Sequence, residues 1–360
     1  MSKKKKIYFE ILRIISCYWV IFNHTQANGF DMYTQVETQK PVFWVYLAIS
    51  IMCKMAVPVF FAISGALLLT RQESLKDIYL KRVLRFVITI VLFSFVDYCA
   101  DIWVGNTKAF NIMDFIRDVY GNRWNYPFWY LYAYLAFLIT LPILREIAVN
   151  MTNRTFKYLV IIHMVFNCLW PVVQYLIFTD TVESNVHFSF AWIGEYIVFY
   201  PLLGYFMEHR FDDEKVDKSL PLLWAANIAG ILLSCLATYR KALVMGYMND
   251  EVSETYFMSF VAINCFTMFF SIKWLCRKIA FTETAQKIIC SVGSATFGIY
   301  LIHIVVMNKN PWFPKFWDFM HTQVRCNFML TGLIGSLLVM LIAYVIVLLL
   351  KLIPGVKKLI

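Results

Sequence analysis

Apolar positions in this chain neither alternate nor follow one narrow stripe. They gather into blocks close to the ~20 residues a helix needs to cross hydrocarbon, separated by short polar segments rich in Lys and Arg. Ten blocks predict ten spans, at 7–25, 43–69, 84–104, 126–148, 158–178, 188–207, 220–238, 256–274, 288–307 and 328–351. They are too long and too uniformly apolar for β-barrel strands, which alternate over ~10 residues. The second block is long and contains Pro58, which predicts a tilted or broken helix. The connecting segments leave no room for a fused soluble domain, and no internal repeat is evident. The pattern predicts an all-α, polytopic membrane helix bundle.

Composition agrees. Of 360 residues, 60% are hydrophobic and 16% charged, where soluble domains average about a quarter charged. The net charge of +10 would suit nucleic acid if it formed one patch. Instead the Lys and Arg residues concentrate in one alternate set of segments, including Lys3–Lys6, 71–85, 145–157, 210–218, 273–287 and 351–358. That asymmetry predicts both termini in the cytosol and no nucleic-acid partner. Lys3–Lys6 resembles a basic leader, but no small-residue cleavage site follows, so 7–25 is read as a retained span. The nine cysteines are scattered without metal-site or disulfide spacing.

The charges inside the first block change the picture. A charged group at mid-membrane costs about 2.5–3.5 kcal/mol even on lenient scales, yet "FEILRIISCYWVIFNHT" carries Glu10, Arg13 and His24. Eleven helical steps bring Arg13 and His24 onto one face, roughly 16 Å apart along the axis. Glu10 can pair with Arg13 across one turn. In the third block, "YLKRVLRF" places Arg82 and Arg85 one turn apart. They are either positive-inside anchors or a fork for phosphate, which arginine binds bidentately. A phosphate-bearing donor held by Arg13, Arg82 and Arg85 would extend its reactive end toward His24.

Other residues leave alternatives open. His303 lies at roughly the depth of His24 and either lines an acceptor site, orients His24, or is a satisfied core histidine. Glu195 sits inside a predicted span and is a site candidate or a partner of Lys54. Asp97 and Asp101 either orient a histidine, accept from sugar hydroxyls, or form a solvated helix end. Trp129, like Trp124, Trp192 and Tyr126, is an interfacial anchor or a stacking platform for a sugar. His163, His187, His209 and His321 show no zinc-ligand spacing, and no Walker loop or GxGxxG occurs.

Taken together, these segments resemble the acyltransferase-3 family of integral membrane acyltransferases. The resemblance rests on Glu10, Arg13 and His24 at their spacing, the RxxR of Arg82 and Arg85, "VPVFFAISGALLL" (57–69), "FWYLYAYLAFLITLPIL" (128–144) and "SATFGIYLIH" (294–303). The chain departs from the family pattern with Glu10 where Asp is usual, Ile11 where Gly commonly follows, and Ala66 where an aromatic often stands. The resemblance implies one acyltransferase domain over 1–360 in the plasma membrane of a bacterial cell. It implies a cytosolic acyl-CoA donor, acetyl-CoA being the expected one, and an acceptor hydroxyl on an envelope or exported glycan or lipid-linked sugar. His24 and Arg13 would be catalytic, with His24 acting as general base or through an acyl-His intermediate. Arg13, Arg82 and Arg85 would contact the coenzyme. Glu10, Ser64, Trp129, Glu195 and His303 would support the site or line the acceptor, with no metal. Two rival readings remain at this level: a transporter or flippase with a proton relay, and acyl or succinyl transfer to a small molecule. Internal repeat symmetry, common in transporters, is not evident.

Overall fold

In hydrocarbon every backbone N–H and C=O must find its partner within its own segment, which leaves helices as the solution for long apolar blocks. A computed structural model describes residues 6–107, 109–122, 126–173, 176–177, 197–246, 248 and 260–360, and all regular structure among these residues is helical. Six helices are long and apolar enough to cross a membrane: Pro41–Leu68, Leu75–Trp103, Tyr126–Asn150, Asp213–Met245, Glu283–Asn308 and Phe328–Leu350. They match six of the ten predicted spans. Of the other four, 7–25 is the helix Ile7–His24 and 256–274 overlaps Val261–Lys278. Parts of 158–178 and 188–207 are helical, and the remainder, including Glu195, lies outside the described residues.

The first helix, α1 (Ile7–His24), is the axis of the bundle. It packs against α2 (Pro41–Cys53), α3 (Ala56–Leu68), α10 (Val261–Lys278), α11 (Glu283–Asn308) and α13 (Phe328–Leu350). Being surrounded, it can carry polar groups that a lipid-facing helix cannot. Between α3 and α10 in sequence come α4 (Leu75–Trp103), α5 (Ile112–Tyr120), α6 (Trp129–Asn150), α7 (Asn153–Ile162), α8 (Phe199–His209) and α9 (Asp213–Met245). A short α12 (Trp312–Thr322) joins α11 to α13.

The predicted break in the second span is present, four residues ahead of the proline. Pro58 has no N–H to give to the Lys54 carbonyl, and its ring crowds that carbonyl. The helix therefore stops at Cys53 and restarts at Ala56. In α4, residues Ile78–Val83 form a π-turn, an irregularity often found at functional sites, and Arg82 stands within it. Charged groups at the start of α1 tie helix ends together. Lys6 pairs with Glu208, and Lys273 lies 2.8 Å from Asp213 and 3.4 Å from Glu208.

The backbones of α3 and α8 approach closely at two glycines. A Cβ at Gly65 would fall on the Pro201 carbonyl, and one at Gly204 would fall on the Ala62 carbonyl. Small residues at crossing points let membrane helices gain dispersion contact where the hydrophobic effect between helices is absent. Gly65→Ala must therefore push α8 away from α3. The expected outcome is a loss of about 1–3 kcal/mol, the usual range for overpacking, read as a lowered thermal unfolding midpoint in detergent. An unchanged midpoint contradicts the contact.

Candidate functional site

Two cavities lie along α1. One, of about 270 Å³, is lined by Arg13, Arg82, Arg85, Lys81, Ser64 and Tyr134 among others. The other, of about 50 Å³, is lined by His24, Lys54, Tyr126 and Trp129 with their neighbours. Arg13 and His24 thus reach different chambers of one helix face. Tyr130 and Tyr300 line both chambers and form the wall between them. Their rings meet edge-on at 5.2 Å, and the Tyr300 hydroxyl donates to the Pro127 carbonyl.

The arginine chamber is more structured than two free forks. Arg13 Nη1 donates to Glu10 Oε1 at 2.8 Å, as the i,i+3 spacing predicts. Glu10 is buried beside Gly293, where any Cβ would strike its carboxylate. Arg82 is already held by a carboxylate: its Nε donates to Glu73 Oε2 at 3.0 Å and its Nη2 to Glu73 Oε1. Arg145 Nη2 donates to the same Oε2 at 2.7 Å, and Arg145 Nε to the Leu68 carbonyl at 3.1 Å. Arg85 Nη2 donates to the Leu359 carbonyl at 3.1 Å. Phe86 stacks between Tyr134, at 4.9 Å, and Phe297, at 5.4 Å, giving one wall a flat aromatic surface. The Ser64 hydroxyl donates to the Phe60 carbonyl at 2.9 Å and lies 3.2 Å from the Tyr134 hydroxyl.

The imidazole chamber has a defined proton order. His303 is fully buried on α11, and its Nδ1 lies 2.6 Å from the Tyr300 carbonyl. A carbonyl only accepts, so Nδ1 carries the proton and Nε2 of the neutral ring is an acceptor. His24 Nδ1 lies 2.9 Å from that Nε2 and must be the donor. One proton per neutral ring then leaves His24 Nε2 with its lone pair. The register that places His303 at the depth of His24 follows from α1 and α11 running parallel. They touch at Glu10–Gly293, at Cys17 Sγ and the Thr296 carbonyl (3.7 Å), and at His24–His303.

Among the sequence candidates, Arg13, Arg82, Arg85 and Ser64 share the larger chamber, His24 and Trp129 share the smaller, and Glu10 and His303 stand directly behind Arg13 and His24. Glu195, and with it the suggested Lys54 pair, lies outside the described residues; the Lys54 ammonium sits 3.9 Å from the centre of the Phe30 ring. Asp97 and Asp101 are not a solvated helix end. Both are buried, with Lys309 paired to Asp101 and 4.0 Å from Asp97. The sequence reading missed Glu73, Arg145, Tyr130 and Tyr300. Tyr300 was detectable in principle, since it stands three residues before His303 and so shares its helix face. Glu73 belongs to no motif.

The acyltransferase-3 family model, described as an acyltransferase domain, matches residues 6–350. No curated protein and no solved structure matches the chain.

Glu73 gives a pH test. It lies between α3 and α4, where the Arg82 guanidinium, with Arg145 beside it, holds its carboxyl down from 4.5 to about 2. A depressed carboxyl contributes stability that is complete above its unfolded pKa and is lost as pH falls through the folded one. The wild-type protein should therefore exceed Glu73→Gln in stability at pH 7. The difference should shrink between pH 4.5 and about 2, as followed by thermal unfolding in detergent. A gap independent of pH contradicts the ion pair.

Proposed function

The chain belongs to the acyltransferase-3 family, and from that premise we propose that it transfers an acyl group, acetyl as the expected one, from acyl-CoA to a hydroxyl of an envelope or exported glycan or lipid-linked sugar. Family and apolar helices together make it an integral membrane acyltransferase; donor, acyl group and acceptor are our reading. The observation that carries it is the fixed chain from the Tyr300 carbonyl through His303 to His24, which leaves His24 Nε2 basic beside a small chamber.

In this reading the basic end of the bundle faces the cytosol, and Arg13, Lys81, Arg82 and Arg85 take the coenzyme's phosphates. The aromatic wall of Phe86, Tyr134 and Phe297 receives flat or apolar parts of the donor. Glu73 takes the Nε and Nη2 edge of Arg82 and orients the guanidinium. The acceptor hydroxyl enters the chamber beside Trp129. His24 Nε2 takes the hydroxyl proton as the oxygen attacks the thioester carbonyl. The C–O bond forms, the C–S bond breaks, and His24 returns the proton to the departing thiolate. The positive charge on His24 during the step is stabilised by its Nδ1–H donating to His303 Nε2. His303 cannot turn away, because its own Nδ1–H is held by the Tyr300 carbonyl.

The smaller chamber also bears on the acyl group. The chamber is narrow, about 50 Å³, so a two-carbon acyl group would need less displacement of Tyr130 and Tyr300 than a long chain would. A pocket discriminates one methylene by about 10–200-fold at most, so the tyrosine wall sets a preference rather than an absolute limit.

Two experiments test this. Thiol release from acetyl-CoA, measured with purified protein and envelope glycans, should fall about 10²–10⁴-fold in His24→Ala, the usual contribution of a general base. It should fall less in His303→Gln, whose amide oxygen can still accept from His24, than in His303→Ala. Activity untouched in His24→Ala sinks the reading. Tyr130→Ala should merge the two chambers and raise the rate with butyryl-CoA relative to acetyl-CoA by roughly tenfold. An unchanged ratio removes the wall from any role in selectivity.

A further inference from the structure

A third cavity, of about 370 Å³, shares no lining residue with the two chambers along α1. It lies between the start of α7, the end of α8, the start of α9 and the middle of α10. We infer that it is a binding site for an anionic phospholipid, with the phosphate at the mouth and the start of an acyl chain inside.

The case rests on how polarity is graded along the cavity. On α9, Lys215, Ser219 and Leu223 follow at intervals of four and lie on one face. They run from cation to hydroxyl to aliphatic over about 12 Å of helix. On α8, Phe206 lies one turn inside Arg210, again on one face. On α7, Lys157 is at the mouth while Phe156 is buried next to it. Phe266 of α10 closes the inner part. The Phe156 and Phe206 rings stack at 3.8 Å and Phe211 meets Phe266 at 5.6 Å, which makes the inner wall largely aromatic. Three helices thus each place a cation at the mouth, and all four place apolar surface further in. The depth at which cation gives way to hydrocarbon is the depth at which a phospholipid does the same.

Charge at the mouth is in excess. Lys157, Arg210 and Lys215 face one lining carboxylate, Asp212. Asp212 accepts from the Glu214 and Lys215 amides as the N-cap of α9, and its Oδ2 is 3.8 Å from Lys215 Nζ. Of the next three acids along α9, Asp213 and Asp217 are held by Lys273 and Arg277, while Glu214 is exposed and does not line the cavity. Arg210 Nη2 donates to the Val149 carbonyl at 3.3 Å and is otherwise exposed. Snorkelling alone accounts for cations at helix ends, but it does not account for their convergence around one apolar slot. Basic pockets between membrane helices are the recognised setting for anionic headgroups. The reading is independent of the acyl transfer proposed above.

The test is native mass spectrometry of the whole protein, released from detergent after addition of phosphatidylglycerol or phosphatidylcholine. Wild-type protein should retain phosphatidylglycerol at least about tenfold more tightly than phosphatidylcholine. Lys157→Gln, Arg210→Gln and Lys215→Gln combined should abolish that preference. Leu223→Trp, which fills the slot without altering charge, should weaken phosphatidylglycerol separately, and it decides the matter if the triple variant does not fold. Equal retention of both lipids by the wild type overturns the inference, as does full retention of phosphatidylglycerol by Leu223→Trp. Displacement of the lipid by coenzyme A or inorganic phosphate also overturns it, because the mouth would then be a site for soluble anions.

Discussion

The structure turns on one constraint: a polar group inside the membrane costs least where another buried group answers it. The hydrogen bond from His24 to His303 is the clearest case. Two imidazoles on different helices satisfy each other, and a backbone carbonyl on the same helix as the second ring decides where the protons sit. A single neutral hydrogen bond contributes only about 0.5–1.5 kcal/mol, but leaving a buried donor or acceptor unmet costs more, about 1–3 kcal/mol. That asymmetry gives α1 and α11 a strong preference for one register. The same register brings Glu10 against Gly293 near the other end, where only a glycine leaves space for the carboxylate that holds Arg13. The cationic end and the imidazole end are therefore set by one helix pair, and displacement of either end disturbs the other.

The two ends handle charge differently. At the imidazole end no Asp, Glu or Arg lines the chamber, and its lysine, Lys54, sits over the Phe30 ring. At the arginine end full charges are kept, and carboxylates answer them: Glu10 for Arg13, and Glu73 for both Arg82 and Arg145. A carboxylate on a guanidinium fork has the geometry a phosphate would adopt. Glu73 thus keeps Arg82 ordered, and under the proposed function a donor phosphate would compete with it for that guanidinium. The π-turn at Ile78–Val83 aids this, since an extra residue in the turn shifts where Arg82 leaves the helix relative to Arg85.

What could be read from the sequence is what one helix or one block determines. The rotation between Arg13 and His24, the Glu10–Arg13 pair, the break ahead of Pro58 and the depth of His303 all follow from helical rise and the properties of single residues, and the structure repeats each of them. Six blocks reappear as helices of membrane-crossing length and hydropathy. The first block, 7–25, is a helix surrounded by others; Glu10 and Arg13 make it less apolar than a lipid-facing span. Glu73 and Arg145 stand more than seventy residues apart in the chain, and their pairing depends on how α3 and α6 cross. The tyrosine wall was hidden for the same reason. Tyr130 and Tyr300 come from opposite halves of the sequence and meet only in the fold. Asp97 and Asp101 went astray because nothing local announces Lys309 as their neighbour.

That wall places the last condition on any transfer along α1. In the transfer proposed above, the donor at Arg13 and the base at His24 would lie in chambers that adjoin at Tyr130 and Tyr300, so the reacting carbonyl would have to pass these two rings to reach Nε2. Tyr300 is the costlier one to move. Its hydroxyl is bonded to the Pro127 carbonyl, and its own carbonyl fixes His303, so a shift of its backbone would also undo the proton order at His24. Tyr130 does not position His303; its ring meets Tyr300 and Phe61 edge-on at 5.2 and 5.3 Å and lies tilted against Tyr134 and Phe60 at 5.8 and 6.0 Å. Aromatic pairs of this kind are worth about 0.5–1.5 kcal/mol beyond their buried area, which binding of a coenzyme-sized ligand can readily offset. In that proposed transfer the ring to move would be Tyr130 on α6, while Tyr300, staying in place, would keep the His303–His24 chain intact.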